Sequence, residues 1–293
     1  MFLLKKALKD PNTAEASISK VLPISEHSSS CDASECHNRY SASCFKLSPD
    51  GANTPLWETA SVPDLHVLVS SGKTDWQRDP FDAPGTILEH VSKTIKGPIA
   101  RDFKFDTMLS TTSLALNEQE FAAYSNQEKC DVLLMPYFVW IRGITKENCE
   151  AVFKEVIGSF LSGKAIAAEF RGCAITKDES KSFVLLCSHR TRDKKCGITA
   201  PIMKKEFDSQ LRDLELYRDP GDDRPGGVQV VFVNHVGGHK YAANVLIYNH
   251  GGEAVWFARC TPLNVKPILD ETVLQGKVFP ALVRGVKNFD VTW

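Results

Sequence analysis

The sequence predicts an α/β protein of two domains preceded by an irregular N-terminal arm, and three observations favour this fold class. The chain has 293 residues, of which 43% are hydrophobic, enough for two medium-sized cores. Residues 1–55 are rich in Ser, Asn, Asp and Pro with weak periodicity, which is typical of a segment that buries little apolar surface. Strand and helix patterns alternate after this arm. We therefore place one domain at 56–165, a linker at 166–180 and a second domain at 181–293.

The first domain is expected to begin with a buried strand at LHVLVSS, residues 65–71, because its residues form a nearly continuous apolar run. Residues 87–97 predict a helix that ends at a glycine. Residues 131–141, DVLLMPYFVWI, predict a strand pair or one long strand. Residues 148–161 predict a helix, since apolar residues recur there at helical spacing.

The second domain starts with a strand at FVLLC, residues 183–187. A helix follows at 199–216, with Thr199 as its expected N-cap and Pro201 in its first turn. Three strands and a closing helix complete the series; the strands are expected at 228–234, 244–249 and 254–260. This order matches the second half of a thioredoxin-like fold better than a doubly wound nucleotide-binding domain.

Composition and charge exclude several classes of partner. The formal net charge is −1 and the charged residues are mixed in sign, so no basic field is available for nucleic acid or an anionic membrane. No apolar run approaches the roughly 20 residues that cross a bilayer. The first ten residues, MFLLKKALKD, are too short and too soon acidic for a secretory signal, so we expect an intracellular protein. Nine cysteines in such a chain favour metal binding or redox chemistry over a disulfide framework.

The strongest functional signal is a pair of loops that each follow a predicted strand. CSHRTRDKKCG offers Cys187 and Cys196, and NHVGGH offers His235 and His239. Sites in α/β sheets collect where strand ends meet loops and helix starts, so both loops can face one centre. The sequence therefore predicts a Cys2His2 ligand set made of these four residues.

Three other interpretations of these residues remain open. Structural zinc also uses Cys2His2 sets, but its cysteines are usually two to four residues apart, and the eight intervening residues here suit a wider centre with two metal atoms better. Thiol chemistry is favoured by the basic residues of RTRDKK, which would lower a thiol pKa, although a CxxC motif is missing. Cys187, considered alone, is typical of a buried core residue. In the arm, Cys31, Cys36 and Cys44 are expected to be ordinary thiols rather than a second metal site.

CSHRTRDKKCGITAP, LYRD, VNHVGGHKYAANV and PYFVW together resemble the sucrase/ferredoxin-like family, a fungal group of thioredoxin-like ferredoxins, from about residue 62 to the end. The resemblance implies two thioredoxin-like α/β domains, of which the C-terminal one is a thioredoxin-like ferredoxin. It also implies a [2Fe-2S] cluster with one iron held by Cys187 and Cys196 and the other by His235 and His239.

Three further residues are assigned to the surroundings of this centre. Cys187-Ser-His189 resembles half of a Rieske motif, but the companion loop is missing, so His189 is expected to support the site as a hydrogen-bond donor to a cluster sulfur. Gly237 and Gly238 would let the backbone pass close to the cluster and turn both imidazoles inward.

The ligand set has a predictable effect on redox behaviour. An oxidised [2Fe-2S] core carries about +2, so two thiolates and two neutral imidazoles give a net charge of about 0, against about −2 for four thiolates. Less negative charge raises the reduction potential towards that of a Rieske centre. Reduction would raise the pKa of the imidazole nitrogens, so electron and proton uptake should be linked.

The expected function is therefore one-electron transfer, in oxidative-stress or metal homeostasis, by a carrier rather than an enzyme. The alternatives are a cluster-free thiol-disulfide oxidoreductase or thioredoxin-like adaptor, and a structural zinc protein. A flavoprotein reductase is the expected electron donor, docking on the basic loop beside the cysteines. The terminal Val-Thr-Trp is similar to the tripeptide through which cytosolic iron–sulfur assembly machinery recognises its clients, so Trp293 predicts that partner and a cytoplasmic rather than mitochondrial-matrix location.

Overall fold

The fold is built on one mixed sheet of eleven strands. The computed structural model describes residues 11–219 and 221–291. The strands are β1 Leu65–Ser70, β2 Thr107–Thr112, β3 Cys130–Met135, β4 Val139–Ile144, β5 Glu169–Phe170, β6 Cys173–Lys177, β7 Ser182–Cys187, β8 Val228–Val233, β9 Val245–Asn249, β10 Glu253–Phe257 and β11 Val283–Asn288. Their order across the sheet is β11-β10-β9-β7-β8-β2-β1-β3-β4-β6-β5.

Helices pack around this sheet. The α-helices are α1 Pro11–Ile18, α2 Pro49–Asn53, α3 Ile87–Thr94, α4 Ala100–Phe103, α5 Phe121–Ser125, α6 Cys149–Ser162, α7 Lys194–Asp213 and α8 Val265–Pro267. Short π-helical turns continue α3 at Ile95–Ile99 and α8 at Ile268–Val273, and 3-10 turns lie at Ala33–Glu35, Ala42–Phe45, His239–Tyr241, Pro262–Asn264 and Pro280–Leu282. The predicted α/β class is confirmed. None of the helices in the described ranges is long and apolar enough to span a bilayer.

The two halves of the sheet share one topology. In the N-terminal half, β1 pairs in parallel with β2 and antiparallel with β3, which leads through β4 to β6. In the C-terminal half, β7 pairs in the same way with β8 and β9, which leads through β10 to β11. This is the strand order expected of a thioredoxin-like fold. The halves meet at β2 and β8 through one aligned residue pair, Thr112 and Val233. Their division into two domains stays a prediction.

The central strands are buried on both faces, which explains their continuous apolar runs. All six residues of β1 and all six of β7 are buried. Helix α7 covers one face of the C-terminal half with Met203 and Phe207, which join Val184 and Leu186 of β7 in one core cluster. Every second residue of β7 faces α7, so the helix packs along the strand. Only a short loop joins Cys187 to Lys194, and the end of the strand therefore lies close to the start of the helix.

The N-terminal arm buries more apolar surface than its composition predicts. Ile18, Leu22 and Phe45 lie in the same cluster as the buried face of α7. A carboxylate on α7 holds the arm in place, since buried Glu206 accepts hydrogen bonds from the backbone N–H groups of His37 and Asn38, both at 2.9 Å. The expectation of an arm without a buried face is wrong because a few well-placed apolar residues suffice to dock a polar segment.

Three other predictions are corrected. Helix α7 begins at Lys194 rather than at Thr199, because the Asp193 carboxylate accepts hydrogen bonds from the N–H groups of Lys195 and Cys196. The expected linker at 166–180 contains β5 and β6, and β6 pairs with β4. Strands β2 and β11 lie outside the predicted strands. β11 is an edge strand, and its VRGVKN pattern is partly polar.

Candidate metal centre

The two predicted cysteine ligands come from adjacent ends of a strand and a helix. Cys187 is the last residue of β7 and Cys196 lies in the first turn of α7; their exposed fractions are 3% and 1%. The loop between them closes tightly because Gly197 has no side chain. A Cβ at Gly197 would lie 2.3 Å from the Cβ of Arg190. This close approach brings the cysteines together despite their spacing in the sequence.

The two predicted histidine ligands lie on the loop that follows β8. Gly237 and Gly238 have φ values of +89° and +75°, in the left-handed region that favours glycine. The chain therefore reverses between the histidines, and the ring centroids of His235 and His239 are 5.5 Å apart. His235 is half-buried and His239 is exposed.

Three of the four predicted ligands converge. Ligand atoms of Cys187, Cys196 and His235 all lie within 4.8 Å of one another, and this is the one such group of three among the described residues. The Cys187 Sγ is 3.9 Å from the His235 Nδ1. His239 lies outside the group, beside the His235 ring. Thiolates and imidazoles are the donors that zinc and [2Fe-2S] clusters take in proteins, so the donor set fits either group.

The surroundings of Cys187 favour a thiolate. Its sulfur accepts hydrogen bonds from the Cys196 thiol, the His235 ring and the backbone N–H of Val236, and these bonds lower the pKa of Cys187 well below its ordinary value although burial acts in the opposite direction. The pKa of Cys196 is raised, because its thiol donates to the Cys187 sulfur and is buried. The pair therefore holds one negative charge readily, on Cys187.

His189 supports the site, but through the backbone. It is buried, its Nδ1 accepts a hydrogen bond from the N–H of His235 at 3.2 Å, and its Nε2 donates to the carbonyl oxygen of Trp76 at 3.0 Å. Both ring nitrogens are occupied, so the expected donation to a cluster sulfur is corrected. The ring instead ties the start of the histidine loop to a loop of the N-terminal half.

Comparisons with known proteins identify the family of the chain. A model of the sucrase/ferredoxin-like family matches residues 56–285. The chain belongs to the sucrase/ferredoxin-like family. It is similar to Actin patches distal protein 1 of Saccharomyces cerevisiae, at 33% identity over 249 residues, which are 80% of this chain and 78% of that protein. It is also similar to Altered inheritance of mitochondria protein 32 of Debaryomyces hansenii, at 34% identity over 238 residues, 78% of this chain and 84% of that protein.

One solved structure also matches this sucrase/ferredoxin-like chain. It is a cysteine-to-serine variant of the thioredoxin-like [2Fe-2S] ferredoxin from Aquifex aeolicus, with 15% identity and a TM-score of 0.25, and the match covers 35% of this chain and 96% of that one. This TM-score is too low to support a fold assignment. The thioredoxin-like fold is instead recognised by the strand order described above.

Two polar residues of this family member hold the histidine loop, and one of them has no sequence signal. Asn244 donates to the carbonyl oxygen of Gly238 at 3.0 Å. Arg284 on β11 donates to the carbonyl oxygen of Gly237 at 3.2 Å and to the Asn244 Oδ1 at 2.8 Å. Arg284 is 45 positions beyond His239 in the chain, and a single arginine in an edge strand gives no hint of its target.

The remaining cysteines lie outside the metal-ligating group. Cys31 and Cys36 of the arm are half-buried and their thiols are hydrogen-bonded to each other; burial raises the pKa of Cys36 to about 12. Cys44 is also half-buried, and the other four, Cys130, Cys149, Cys173 and Cys260, are buried. Within the described ranges none of them joins a second cluster of metal ligands. Trp293 lies outside the described residues.

Proposed function

We propose that this chain binds a [2Fe-2S] cluster and acts as a one-electron carrier. Cys187 and Cys196 would hold one iron, and His235 and His239 the other. The observation that carries the proposal is the convergence of two buried sulfurs and one imidazole within 4.8 Å of one another, at the end of β7 and the start of α7. Membership of the sucrase/ferredoxin-like family supports the same ligand set.

Each ligand has a structural reason to serve. When bound, a [2Fe-2S] cluster supplies reversible one-electron transfer. Cys187 offers a thiolate without further deprotonation, because its hydrogen bonds lower its pKa. Buried Cys196 lies at a helix N-terminus, where the helix dipole stabilises negative charge on its sulfur. The histidine side is the exposed side, since His239 is exposed and His235 half-buried, whereas both cysteines are buried.

The exposure of the histidines predicts that protons accompany the electron. Two neutral imidazoles in place of two thiolates raise the potential above that of a four-thiolate ferredoxin, which is about −400 mV in the plant type. The imidazole nitrogens that do not bind metal become more basic when negative charge is added to the site. We therefore expect the potential to fall as pH rises, because loss of an imidazole proton disfavours the added negative charge.

The surface next to the cysteines supports an acidic redox partner. Arg190, Arg192 and Lys194 are exposed in and after the loop that links the cysteines, and Ile198 exposes 45% of its surface one turn further along α7. Positive charge around an apolar contact favours association with a negatively charged surface. A flavoprotein reductase remains our expected electron donor. We expect the cytosolic assembly machinery to supply the cluster through recognition of Trp293. The expected process is oxidative-stress or metal homeostasis in the cytoplasm.

A thiol-disulfide oxidoreductase is the second candidate function. It is favoured by one observation, the low pKa of Cys187 next to the Cys196 thiol, which is the arrangement of a reactive thiol beside a resolving one. It gives no reason for His239 and the two left-handed glycines, and it is therefore the weaker proposal. A structural zinc ion would use the same donors.

Purification under anaerobic conditions separates these functions. The proposal expects a coloured protein with two irons and two acid-labile sulfides per chain, and an EPR signal after one-electron reduction. A colourless protein loaded with zinc, or a metal-free protein that reduces disulfides through Cys187, would refute it.

Histidine ligation is tested separately by His235→Cys and His239→Cys. Each variant should keep a cluster with a lower potential and a weaker pH dependence, because a thiolate replaces a neutral imidazole. The matched control is His250→Cys on the exposed hairpin between β9 and β10, which should change neither property. Spectra identical to the parent in both ligand variants would rule out the histidines.

A further inference from the structure

Arg284 is a buried cation beside the histidine loop. It lies on β11 with 3% of its surface exposed, and its guanidinium is 4.7 Å from the centre of the Trp256 ring and 5.3 Å from that of Tyr241. Among the described residues no carboxylate forms an ion pair with Arg284, and its hydrogen bonds go to neutral oxygen atoms. A buried charge without an ionic partner is costly, so a cation kept here needs a compensating role.

The hydrogen bonds of Arg284 hold the histidine loop against the rest of the fold. On one side, Nη1 reaches the Gly237 carbonyl oxygen and the Asn244 amide oxygen. On the other side, Nε donates to the Thr59 Oγ1 at 3.0 Å and Nη2 to the Thr59 carbonyl oxygen at 2.9 Å. The guanidinium therefore joins the segment before β1 to the loop that carries His235 and His239. Because the guanidinium is planar and rigid, it fixes the direction of each of these hydrogen bonds.

Gly238 fits against this guanidinium without room for a side chain. A Cβ at Gly238 would lie 2.5 Å from the Arg284 Nη1 and 2.6 Å from its Cζ. The second glycine of HVGGH is therefore required twice, once for its positive φ and once for the close approach of the arginine. The loop and the guanidinium thus fit each other as one packed unit.

The charge of Arg284 also lies next to the centre. Its Nη1 is 3.2 Å from the carbonyl oxygen of Gly237, which lies between His235 and His239 in the chain. Burial lowers the pKa of Arg284 to about 10, so the side chain is still charged at neutral pH. A fixed cation in a buried site acts strongly on nearby charge, because little water screens it.

We propose that Arg284 is a positioning residue with two effects on the centre: it fixes the HVGGH loop through Gly237 and Gly238, and it is the built-in cation that favours the more negatively charged redox state of the site. The second effect rests on the proposed function, whereas the first does not. A site with a fixed cation gains an electron more readily than the same ligands without it, since the added negative charge is stabilised.

The test compares Arg284→Met, Arg284→Lys and Gly238→Ala with a matched control, Arg259→Met. Arg259 also lies over the Tyr241 ring, at 5.6 Å, but its guanidinium bonds the carbonyl oxygens of Gly51 and Thr54. Its one hydrogen bond to residues 235–241 runs from its backbone N–H to the Tyr241 carbonyl oxygen and does not depend on the side chain. The first measurement is amide hydrogen exchange of residues 235–241 in the metal-free protein, and the second is the midpoint potential of the cluster-loaded protein at fixed pH.

Arg284→Met should increase loop exchange at least tenfold and shift the redox equilibrium about tenfold towards the oxidised state, which is ~59 mV for one electron. Arg284→Lys keeps the charge without the directed hydrogen bonds, so it should increase loop exchange and restore most of the potential. Gly238→Ala displaces the guanidinium from the other side and should reproduce both effects, which keeps the test decisive if Arg284→Met does not fold. Arg259→Met should change neither measurement.

Each failure has its own signature. A cluster-loaded Arg284→Met protein with the parent potential overturns the electrostatic effect and leaves the proposed function intact. Parent-like exchange of residues 235–241 in Arg284→Met overturns the positioning effect, whether or not a cluster is present. A parent protein that binds no iron overturns the proposed function and with it the redox effect, and the exchange data then decide the positioning effect alone.

Discussion

Replacing Gly197 with alanine should damage the start of α7 and the cysteine site together. The new Cβ would lie 2.3 Å from the Cβ of Arg190 and 2.8 Å from its Cα. The Cα belongs to the backbone of the loop that leads from Cys187 to Cys196, so rotation of a side chain cannot relieve the contact. Either the loop moves away from the helix or the first turn of α7 opens, and both change the position of Cys196.

The magnitude follows from two opposing effects. Overpacking in a close-packed site typically costs about 1–3 kcal/mol, and a contact with backbone atoms at this distance belongs at the upper end of that range. Alanine in place of glycine inside a helix returns up to ~1 kcal/mol. We therefore expect a net loss of about 2 kcal/mol in the free energy of unfolding, which lowers the melting temperature by roughly 3 °C in a protein of this size.

The assay is thermal and urea unfolding of the metal-free protein, followed by iron content after reconstitution. Gly158→Ala in α6 is the matched control, because a Cβ there meets no atom within 4 Å and the substitution should stabilise the protein by about 0.5–1 kcal/mol. Gly197→Ala should also bind less iron than Gly158→Ala. If Gly197→Ala is as stable as Gly158→Ala and binds as much iron, the packing argument for the cysteine loop is refuted.

Three further predictions concern the N-cap, the arm and a buried histidine. Asp193→Ala removes the cap of α7 and should cost ~1 kcal/mol in urea unfolding; an unchanged midpoint would show that the N–H of Cys196 has another acceptor. Glu206→Gln should lower the free energy of unfolding by about 1–2 kcal/mol and speed proteolysis of the arm at neutral pH. The reason is that one amide oxygen replaces the carboxylate that two backbone N–H groups contact. Equal cleavage rates in the variant and the parent would contradict this. Burial lowers the pKa of His66 to about 3, below its unfolded value near 6.5, so its stabilisation is complete above pH 6.5 and is lost as pH falls towards 3, by up to ~5 kcal/mol. His66→Gln should flatten the unfolding free energy across that pH window, and a profile as steep as that of the parent would exclude His66 as its source.

The sequence was most informative where one physical requirement dominates a segment. The largely apolar runs of β1 and β7 predicted buried strands, because a strand covered on both faces favours apolar residues at most of its positions. The start of α7 was misplaced because KKCG has no apolar periodicity, and both Asp193 and Thr199 are good caps; the choice between them depends on which side chain reaches the free N–H groups. The edge strand β11 and the strand β6, which is next to the other edge, were missed because their solvent-facing residues break the apolar pattern.

The candidate site shows the same limit. Cys187, Cys196 and His235 were found from residue type and from their places after predicted strands, and the fold brings them together. Two supporting contacts were not found in the sequence: Arg284 bonds the histidine loop at Gly237, and Trp76 bonds His189. Both contacts arise only from tertiary structure. His189 was assigned to the right place with the wrong bond, since the sequence cannot show that both of its nitrogens are already used by the backbone. The ligand role of His239 stays a prediction.

The joint between the two halves of the sheet has a mechanical consequence. β1 and β2 align six residue pairs, whereas β2 and β8 align one. Two backbone hydrogen bonds support this pair: the Asn234 N–H donates to the Thr111 carbonyl oxygen, and the Ser113 N–H donates to the Phe232 carbonyl oxygen. His235 follows this joint directly, while Cys187 is one strand further away on β7. A force that pulls the halves apart is therefore carried in part by the segment that leads into the histidines. The loop after Cys187 carries the rest, because Ser188 and His189 are hydrogen-bonded to the carbonyl oxygens of Thr74 and Trp76 in the N-terminal half. Strain between the halves would therefore reach the solvent-facing side and the buried side of the centre together.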